Sequence, residues 1–256
     1  MMLIVKTPQD MKLWRSTSGS RSIGFVPTMG ALHAGHADLL KRAREVSDIV
    51  VLSIFVNPTQ FNDPKDLEKY PRTLEADCEI AQQQGVDVVF CPDFSSMYPD
   101  QYKYSLIEKD FSRLLCGKDR PGHFDGVLSV VMKLFNVVQP TRAFFGEKDY
   151  QQLKLIQGMV EAFFLSVEIV PVATVREVSG LAMSSRNTRL SADDKEKAEN
   201  IFRVISKASS ATEARKQLTD LGFEVDYVED IDGRRFAAIR IGPSNNRVRL
   251  IDNVKI

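Results

Sequence analysis

The sequence predicts a doubly wound parallel α/β sheet followed by a second, smaller α+β domain. Three observations carry this. Short β-branched apolar runs alternate with segments of helical periodicity, polar motifs follow those runs, and after Thr174 the texture turns small and polar before two alternating strands. That change divides the chain into expected domains of residues 1–174 and 175–256.

The first run, Ser22 to Val26, is followed by Pro27, which is expected to end the strand because proline has no amide to give to a ladder. Leu32, Leu39, Leu40, Ala43 and Val46 then recur at three- and four-residue steps, which predicts a helix from Leu32 to Ser47. Asp48 to Val56 (DIVVLSIFV) is apolar almost throughout, as a strand buried on both faces should be. A βαβ unit with a right-handed crossover follows from the order of these three. The alternation continues with a helix over Thr73–Gln84, a strand over Val86–Pro92 and a helix over Gly126–Val138. It ends with a strand over Arg142–Gly146, a helix over Tyr150–Phe163 and a strand over Val167–Thr174. Five strands so interleaved make a Rossmann-like sheet. In the second domain Ser191 caps a helix with an acidic first turn, Ala211 to Gly222 forms another, and EVDYVEDID pairs with RRFAAIRI around Gly233.

Composition narrows the function classes. The 34 basic and 34 acidic residues cancel, so no overall field collects nucleic acid or an anionic membrane. The N-terminus reaches polar residues after five positions, and no apolar run approaches the roughly 18 residues of a membrane span, so a cytoplasmic protein is expected. Cys78, Cys91 and Cys116 are widely spaced and odd in number, which reads as reduced thiols.

Ligands of doubly wound sheets bind beyond the carboxyl ends of the strands, and four polar segments map there. His33 and His36, two of three histidines in the chain, stand three apart at a helix start beside first-turn amides that favour an anion. Gly35 between them permits close approach. They are equally two surface histidines at a helix start, and a zinc pair would need a third ligand that the spacing does not offer. Asn57 and Gln60 bracket Pro58, and are either turn caps or amides that orient a ligand's hydroxyl or carbonyl groups. Glu147, Lys148 and Asp149 are either a solvated turn or, following Ala143 to Phe145, the setting of a phosphate clamp at Lys148. Arg120 precedes His123 by three positions, and His123 is as readily structural as catalytic. Arg186 beside Ser184 and Ser185 suits a phosphate-gripping loop.

Seven segments, PTMGALHAGH, SIFVNPTQF, YPRT, RPGHFDGV, KLFN, FFGEKDYQQL and SSRN, run in order from about Gly24 to Asn187 and together closely resemble the pantoate–β-alanine ligase (pantothenate synthetase) family. RLIDN, Arg249 to Asn253, resembles that family's C-terminal end. The HxGH pair alone marks only the wider nucleotidyltransferase superfamily. The resemblance implies ATP-dependent joining of pantoate to β-alanine through a pantoyl adenylate, with Mg2+ accompanying ATP, in a homodimer whose C-terminal domain is a lid. It implies ATP contacts at Met29, Gly30, His33, Gly35, His36, Gly146, Lys148, Asp149, Val175, Met183, Ser184, Ser185 and Arg186. Among these His33, His36, Lys148 and Arg186 act in catalysis, His36 being the family's proton donor. Pro27, Met29, Asn57, Gln60, Tyr70, Arg120 and Gln152 are implied to hold pantoate and β-alanine. Ala31 and Ala34, inside the histidine motif, are expected to tolerate change. Two other readings compete: a cytidylyltransferase consuming CTP, against which NPTQF and RPGHFDGV speak, and a catalytically inactive nucleotide-binding module.

Overall fold

The computed structural model describes residues 2–244 and 247–256. Residue contacts separate two units, Met1–Glu147 with Gln151–Val172, and Lys148–Tyr150 with Ala173–Ile256. The chain thus passes from one unit to the other inside the GEKD motif, and three residues from that motif's end pack with the C-terminal part.

Among the described residues the first unit's sheet holds six parallel strands: β1 (Leu3–Val5), β2 (Ile23–Thr28), β3 (Ile49–Ile54), β4 (Val88–Phe90), β5 (Arg142–Gly146) and β6 (Glu168–Val172). Their spatial order is β1-β4-β3-β2-β5-β6. The connecting helices are α1 (Pro8–Thr17), α2 (Ala34–Val46), α3 (Pro64–Glu68), α4 (Leu74–Gln83), α5 (Phe94–Met97), α6 (Cys116–Asp119), α7 (His123–Val138) and α8 (Tyr150–Ala162). The strands' apolar residues face both ways because both faces are covered. Val26, Val50, Leu52 and Phe144 pack with Leu39, Leu40 and Ala43 of α2. On the other face Phe25 and Phe145 lie edge-on to Phe135 of α7, at 6.4 and 6.5 Å between ring centroids. Each such leucine or phenylalanine contributes about 1.5–3 kcal/mol through burial.

The doubly wound expectation is met, with three local differences. Strand β1 and helix α1, unmarked in the sequence reading, extend the sheet beyond β4, where Leu3 and Ile4 remain about half exposed. Pro27 does not end β2: the strand continues to Thr28 along β3, while the ladder to β5 stops at Phe25, so the missing amide falls beyond the last β2–β5 pair. Helix α7 begins at His123, three residues before Gly126, and brings His123 into its first turn. Because β2 is flanked by β3 on one side and β5 on the other, the winding reverses between β2 and β5, and their carboxyl ends bound the crevice of the fold.

In the second unit lie α9 (Ala192–Ala198), α10 (Asn200–Lys207), α11 (Ala211–Asp220) and an antiparallel sheet of β7 (Glu224–Ile231), β8 (Arg234–Ile241) and β9 (Val248–Lys255). Ser191 caps α9 as expected, accepting from the Asp194 amide, and Glu199 separates α9 from α10. Strand β9 contains RLIDN. Alternation gives this sheet two faces. Arg235, Ala237, Ile239 and Ile241 of β8, with Val248, Leu250, Asp252 and Val254 of β9, share one; Arg234 and Phe236, with Asn253, share the other. Ala237, Ile239, Leu250 and Val254 join Ile201, Val204, Ile205 and Leu218 in a core beneath α10 and α11.

Arg235 belongs to that core face and is only 2% exposed. Its guanidinium meets both Asp230 oxygens at 2.7 and 2.8 Å and donates to the carbonyls of Ile205 and Ala208 at 3.2 and 2.6 Å. The hydrogen bonds from Arg235 to Asp230, first among the causes, hold the Asp230 carboxyl below its ordinary value. Arg235→Ala strands the carboxylate and two helix-end carbonyls, and is expected to cost about 3 kcal/mol in urea unfolding. A group whose pKa is lowered on folding stabilises above its ordinary value of 3.8 and loses that contribution as pH falls below it, so the gap between wild type and variant should narrow there.

Candidate functional site

The chain leaves β2 and enters α2 in five residues, and the backbone cost of that turn is visible. Gly30 has φ 82° and Ala31 φ 52°, both left-handed. For alanine this region costs roughly 1–2 kcal/mol. The offsetting interaction is Asp77 of α4, 1% exposed, whose oxygens accept from the amides of Ala31 at 3.0 Å and Leu32 at 2.7 Å and from the Thr73 hydroxyl at 3.2 Å. A Cβ at position 30 would stand 2.9 Å from Asp77 Oδ2 and 3.1 Å from Ile54, so glycine is required there by space as well as by φ. The expected tolerance at Ala31 is corrected accordingly: the position is left-handed and disfavours β-branched residues. Thr28 completes the turn, donating to the Ser53 carbonyl at 2.7 Å and accepting from the Gly30 amide at 3.1 Å.

The two histidines cap the helix they introduce. His33 is the N-cap of α2, its Nδ1 accepting from the Gly35 amide at 3.1 Å, while His36 Nδ1 accepts from the His33 amide at 3.3 Å. The reciprocal arrangement brings the rings to 4.1 Å between centroids, their planes tilted by 40°. With Nδ1 an acceptor, a neutral imidazole carries its proton on Nε2, so both rings are Nε2–H donors beside the amides of a helix N-terminus. The anion-favouring reading and the helix-start reading of these residues are therefore one geometry.

Gln60 ends the turn after β3 and is held from three sides. His123 Nδ1 lies 2.7 Å from its carbonyl oxygen, and Arg120 donates to the same oxygen at 3.1 Å. Arg120 Nη1 also lies 3.2 Å from His123 Nε2. A guanidinium can only donate, so Nε2 accepts and Nδ1 carries the hydrogen that reaches Gln60. The Gln60 side chain takes an Asn57 amide hydrogen on Oε1 at 3.2 Å and directs its own amide to the Met29 sulfur at 2.9 Å. Asn57, 1% exposed, serves the scaffold: it also donates to Gly126 O at 3.2 Å and accepts from Tyr98 at 3.1 Å and the Thr59 hydroxyl at 3.0 Å. Burial pushes the Tyr98 phenol up to about 12, which keeps it a donor. Gly126 allows this contact, since a Cβ there would meet the Thr59 carbonyl oxygen at 2.4 Å.

The first unit thus joins Met29, Asn57, Gln60 and Arg120 in one network. Tyr70 instead packs edge-on to Phe61, one residue past Gln60, at 5.7 Å, and Pro27 and Gly146 lie near the carboxyl ends of β2 and β5. In α8 the buried amide is Gln151, which binds the Cys116 amide and the carbonyls of Phe111 and Leu114; its neighbour Gln152 is half-buried. In the second unit the Met183 amide donates to Val175 O at 3.0 Å beside the Arg176–Ala182 bridge, and Ser184 caps the turn carrying Ser185 and Arg186 through the Arg186 amide at 3.2 Å. Lys148 is half-buried and Asp149 exposed. Among the described residues no cluster of three His, Cys, Asp or Glu could hold a metal ion, and no helix is long and apolar enough to cross a membrane.

Sequence reasoning misses Asp77, Tyr98 and Thr28. An aspartate in the first turn of α4 looks like ordinary compensation of a helix dipole, so spacing offers no sign that it reaches a loop 46 positions away. His123 is visible in the sequence, but its contacts with Arg120 and the Gln60 carbonyl are not.

Residues 3–255 match the family described as pantoate-beta-alanine ligase. A pantothenate synthetase of Bdellovibrio bacteriovorus is 58% identical over 256 residues, all of both chains, and one of Legionella pneumophila is 52% identical over 238 residues, 93% of each. The crystal structure of a pantoate-beta-alanine ligase from Francisella tularensis complexed with beta-gamma ATP and beta-alanine superposes with a TM-score of 0.93 at 40% identity, covering 100% of this chain and 98% of that one. A pantothenate synthetase from Thermus thermophilus gives 0.88 at 39% identity over 99% of both chains.

The Asp77 contacts generate a direct expectation. Asp77→Asn keeps the size but offers one acceptor where two amides now bind, a loss of about 2 kcal/mol for hydrogen bonds to a charged group. Amide exchange at Ala31 and Leu32 should quicken about thirtyfold, as a local free energy of that size implies, with little change in the second unit.

Proposed function

We propose, because the chain belongs to the pantoate–β-alanine ligase family, that it joins pantoate to β-alanine with ATP as co-substrate, releasing pyrophosphate and AMP. The observation that carries the reading is the full-length likeness to these ligases, on a chain whose first helix after β2 presents two Nε2–H donors at its N-terminus.

In the first half-reaction a pantoate carboxylate oxygen bonds to the α-phosphorus and the bond to the bridging oxygen breaks, leaving pyrophosphate and a pantoyl adenylate. Negative charge grows on the phosphoryl and departing oxygens. His33 and His36 are assigned to those oxygens through Nε2–H, Lys148 and Arg186 as cations, and Met29, Gly30 and Gly35 to the approach of the nucleotide. Gly146, Asp149, Val175, Met183, Ser184 and Ser185 complete the assigned nucleotide contacts. Because the caps occupy Nδ1, the geometry supports His36 as a hydrogen-bond donor to the developing charge, which is the sense in which we retain its proton-donor role. In the second half-reaction the β-alanine nitrogen bonds to the acyl carbon, AMP departs, and the nitrogen's extra proton is lost. Gln60 and Gln152 are assigned to pantoate, Gln60 also to β-alanine, with Pro27, Asn57, Tyr70 and Arg120 shaping or holding that end.

Mg2+ is proposed to arrive with ATP, held by phosphates and water as is usual for this ion, and would neutralise phosphate charge. Homodimeric assembly, cytoplasmic location and a lid role for the C-terminal domain are parts of the same proposal and rest on the family resemblance.

Sustained AMP and pyrophosphate release should require ATP, pantoate and β-alanine together; steady AMP formation with pantoate omitted, or CTP replacing ATP at an equal rate, would overturn the assignment. His36→Ala should lower kcat/KM by about 10²–10³-fold. Loss of its share of the cap should lower stability by only about 1 kcal/mol. A near-normal rate would remove His36 from the mechanism.

A further inference from the structure

RLIDN has no role in the assignments above, yet its last two residues sit between two segments that carry predicted nucleotide contacts. We propose that Asn253 is a positioning residue for Lys148, an inference that rests on reading Lys148 as the phosphate clamp. Asn253 is 4% exposed on the face of β8 and β9 opposite the helices. Its Nδ2 donates to the Lys148 carbonyl at 2.9 Å. Its Oδ1 accepts from Arg234, whose guanidinium lies 3.8 Å from the centre of the Tyr150 ring, itself 6.1 Å from Phe236. Lys148 and Tyr150, at the two ends of the three-residue segment that packs with the second unit, are thus fastened to one sheet face.

The preceding residue serves the other face. Asp252 grips Arg176 through both oxygens at 2.6 and 2.8 Å and accepts from the Asn253 amide at 2.8 Å. Arg176 lies over the Phe202 ring at 3.8 Å and bridges Ala182, next to Val175 and Met183. One dipeptide therefore ties the Lys148 segment and the Val175–Met183 segment to the same strand. The chemistry explains why an amide stands at 253: the position needs a donor toward one carbonyl and an acceptor toward one guanidinium, and asparagine supplies both in one plane. A lysine has a long flexible stem, so where its ammonium dwells depends on how firmly its backbone is held, and small misplacements of a charge-stabilising group carry large rate effects.

The test is a double-mutant cycle in the three-substrate assay. Lys148→Ala should lower kcat/KM for ATP by about 10²–10³-fold. Asn253→Ala should lower it by about tenfold, with KM for β-alanine unchanged, as expected of a modest misplacement. The double variant should match Lys148→Ala within about twofold, because a residue acting through Lys148 has nothing left to position. An equal loss from Asn253→Ala on both backgrounds, or no loss on the wild-type background, would overturn the inference while leaving the clamp reading intact. A Lys148→Ala variant at full rate would overturn both. If Asn253→Ala does not fold, Asn253→Asp keeps the acceptor for Arg234 and removes the donor to Lys148, and should show the same dependence on Lys148.

Discussion

A single buried carboxylate decides how the first unit presents its histidines. Strand β2 and helix α2 are joined by a turn with two consecutive left-handed residues, one of them alanine. Such a turn holds its shape only where something outside it compensates the backbone, and Asp77 does so from another helix by binding two adjacent amides. The start of α2, and with it the reciprocal capping of His33 and His36, follows from where that turn ends. The capping in turn places the ring protons on Nε2, so a packing decision made by α4 sets the hydrogen-bond polarity of the motif.

The same division of labour recurs around Gln60 and in the second unit. Arg120 donates to His123 and thereby fixes the tautomer that binds Gln60 through its main chain. Asn57 holds the Gln60 side chain, and Tyr98 holds Asn57. In the second unit Asp252 and Asn253 do likewise for Arg176 and Lys148. Buried polar groups need partners, and these find them in the backbone or side chains of residues that carry proposed chemical roles or adjoin them. Polar residues that look redundant in a list of catalytic candidates are the ones that set where the candidates stand.

How far the sequence can be read depends on the range of the interaction behind each feature. Long periodic or uniformly apolar segments, such as those that form α2, β3, α7 and β5, are legible because their pattern reports burial directly. The three-residue strand β1 and the C-terminal strand β9 are not: the first is too short to show alternation, and in the second the polar pair Asp252–Asn253 interrupts it. Pro27 misleads because its effect depends on whether the neighbouring strand still pairs at that register, which only the folded sheet specifies. Among the candidate residues His33, His36, Gln60 and Lys148 stand out by motif, whereas Asp77 and Tyr98 are silent because their partners lie 46 and 41 positions away in sequence.

The amino-acid sequence alone determined the winding of the sheet, the family likeness and the residue types able to handle a phosphorylated nucleotide, since these depend on local periodicity and on motifs of a few residues. The tertiary structure decided how those residues are held: that Ala31 is left-handed under Asp77, that His123 reaches the Gln60 main chain, that Asn57 is bound into the scaffold, and that Lys148 is anchored by Asn253. The reason is physical. A side chain's chemistry is written in its own atoms, but its orientation, tautomer and hydrogen-bond capacity are set by neighbours that only folding brings within about 3 Å.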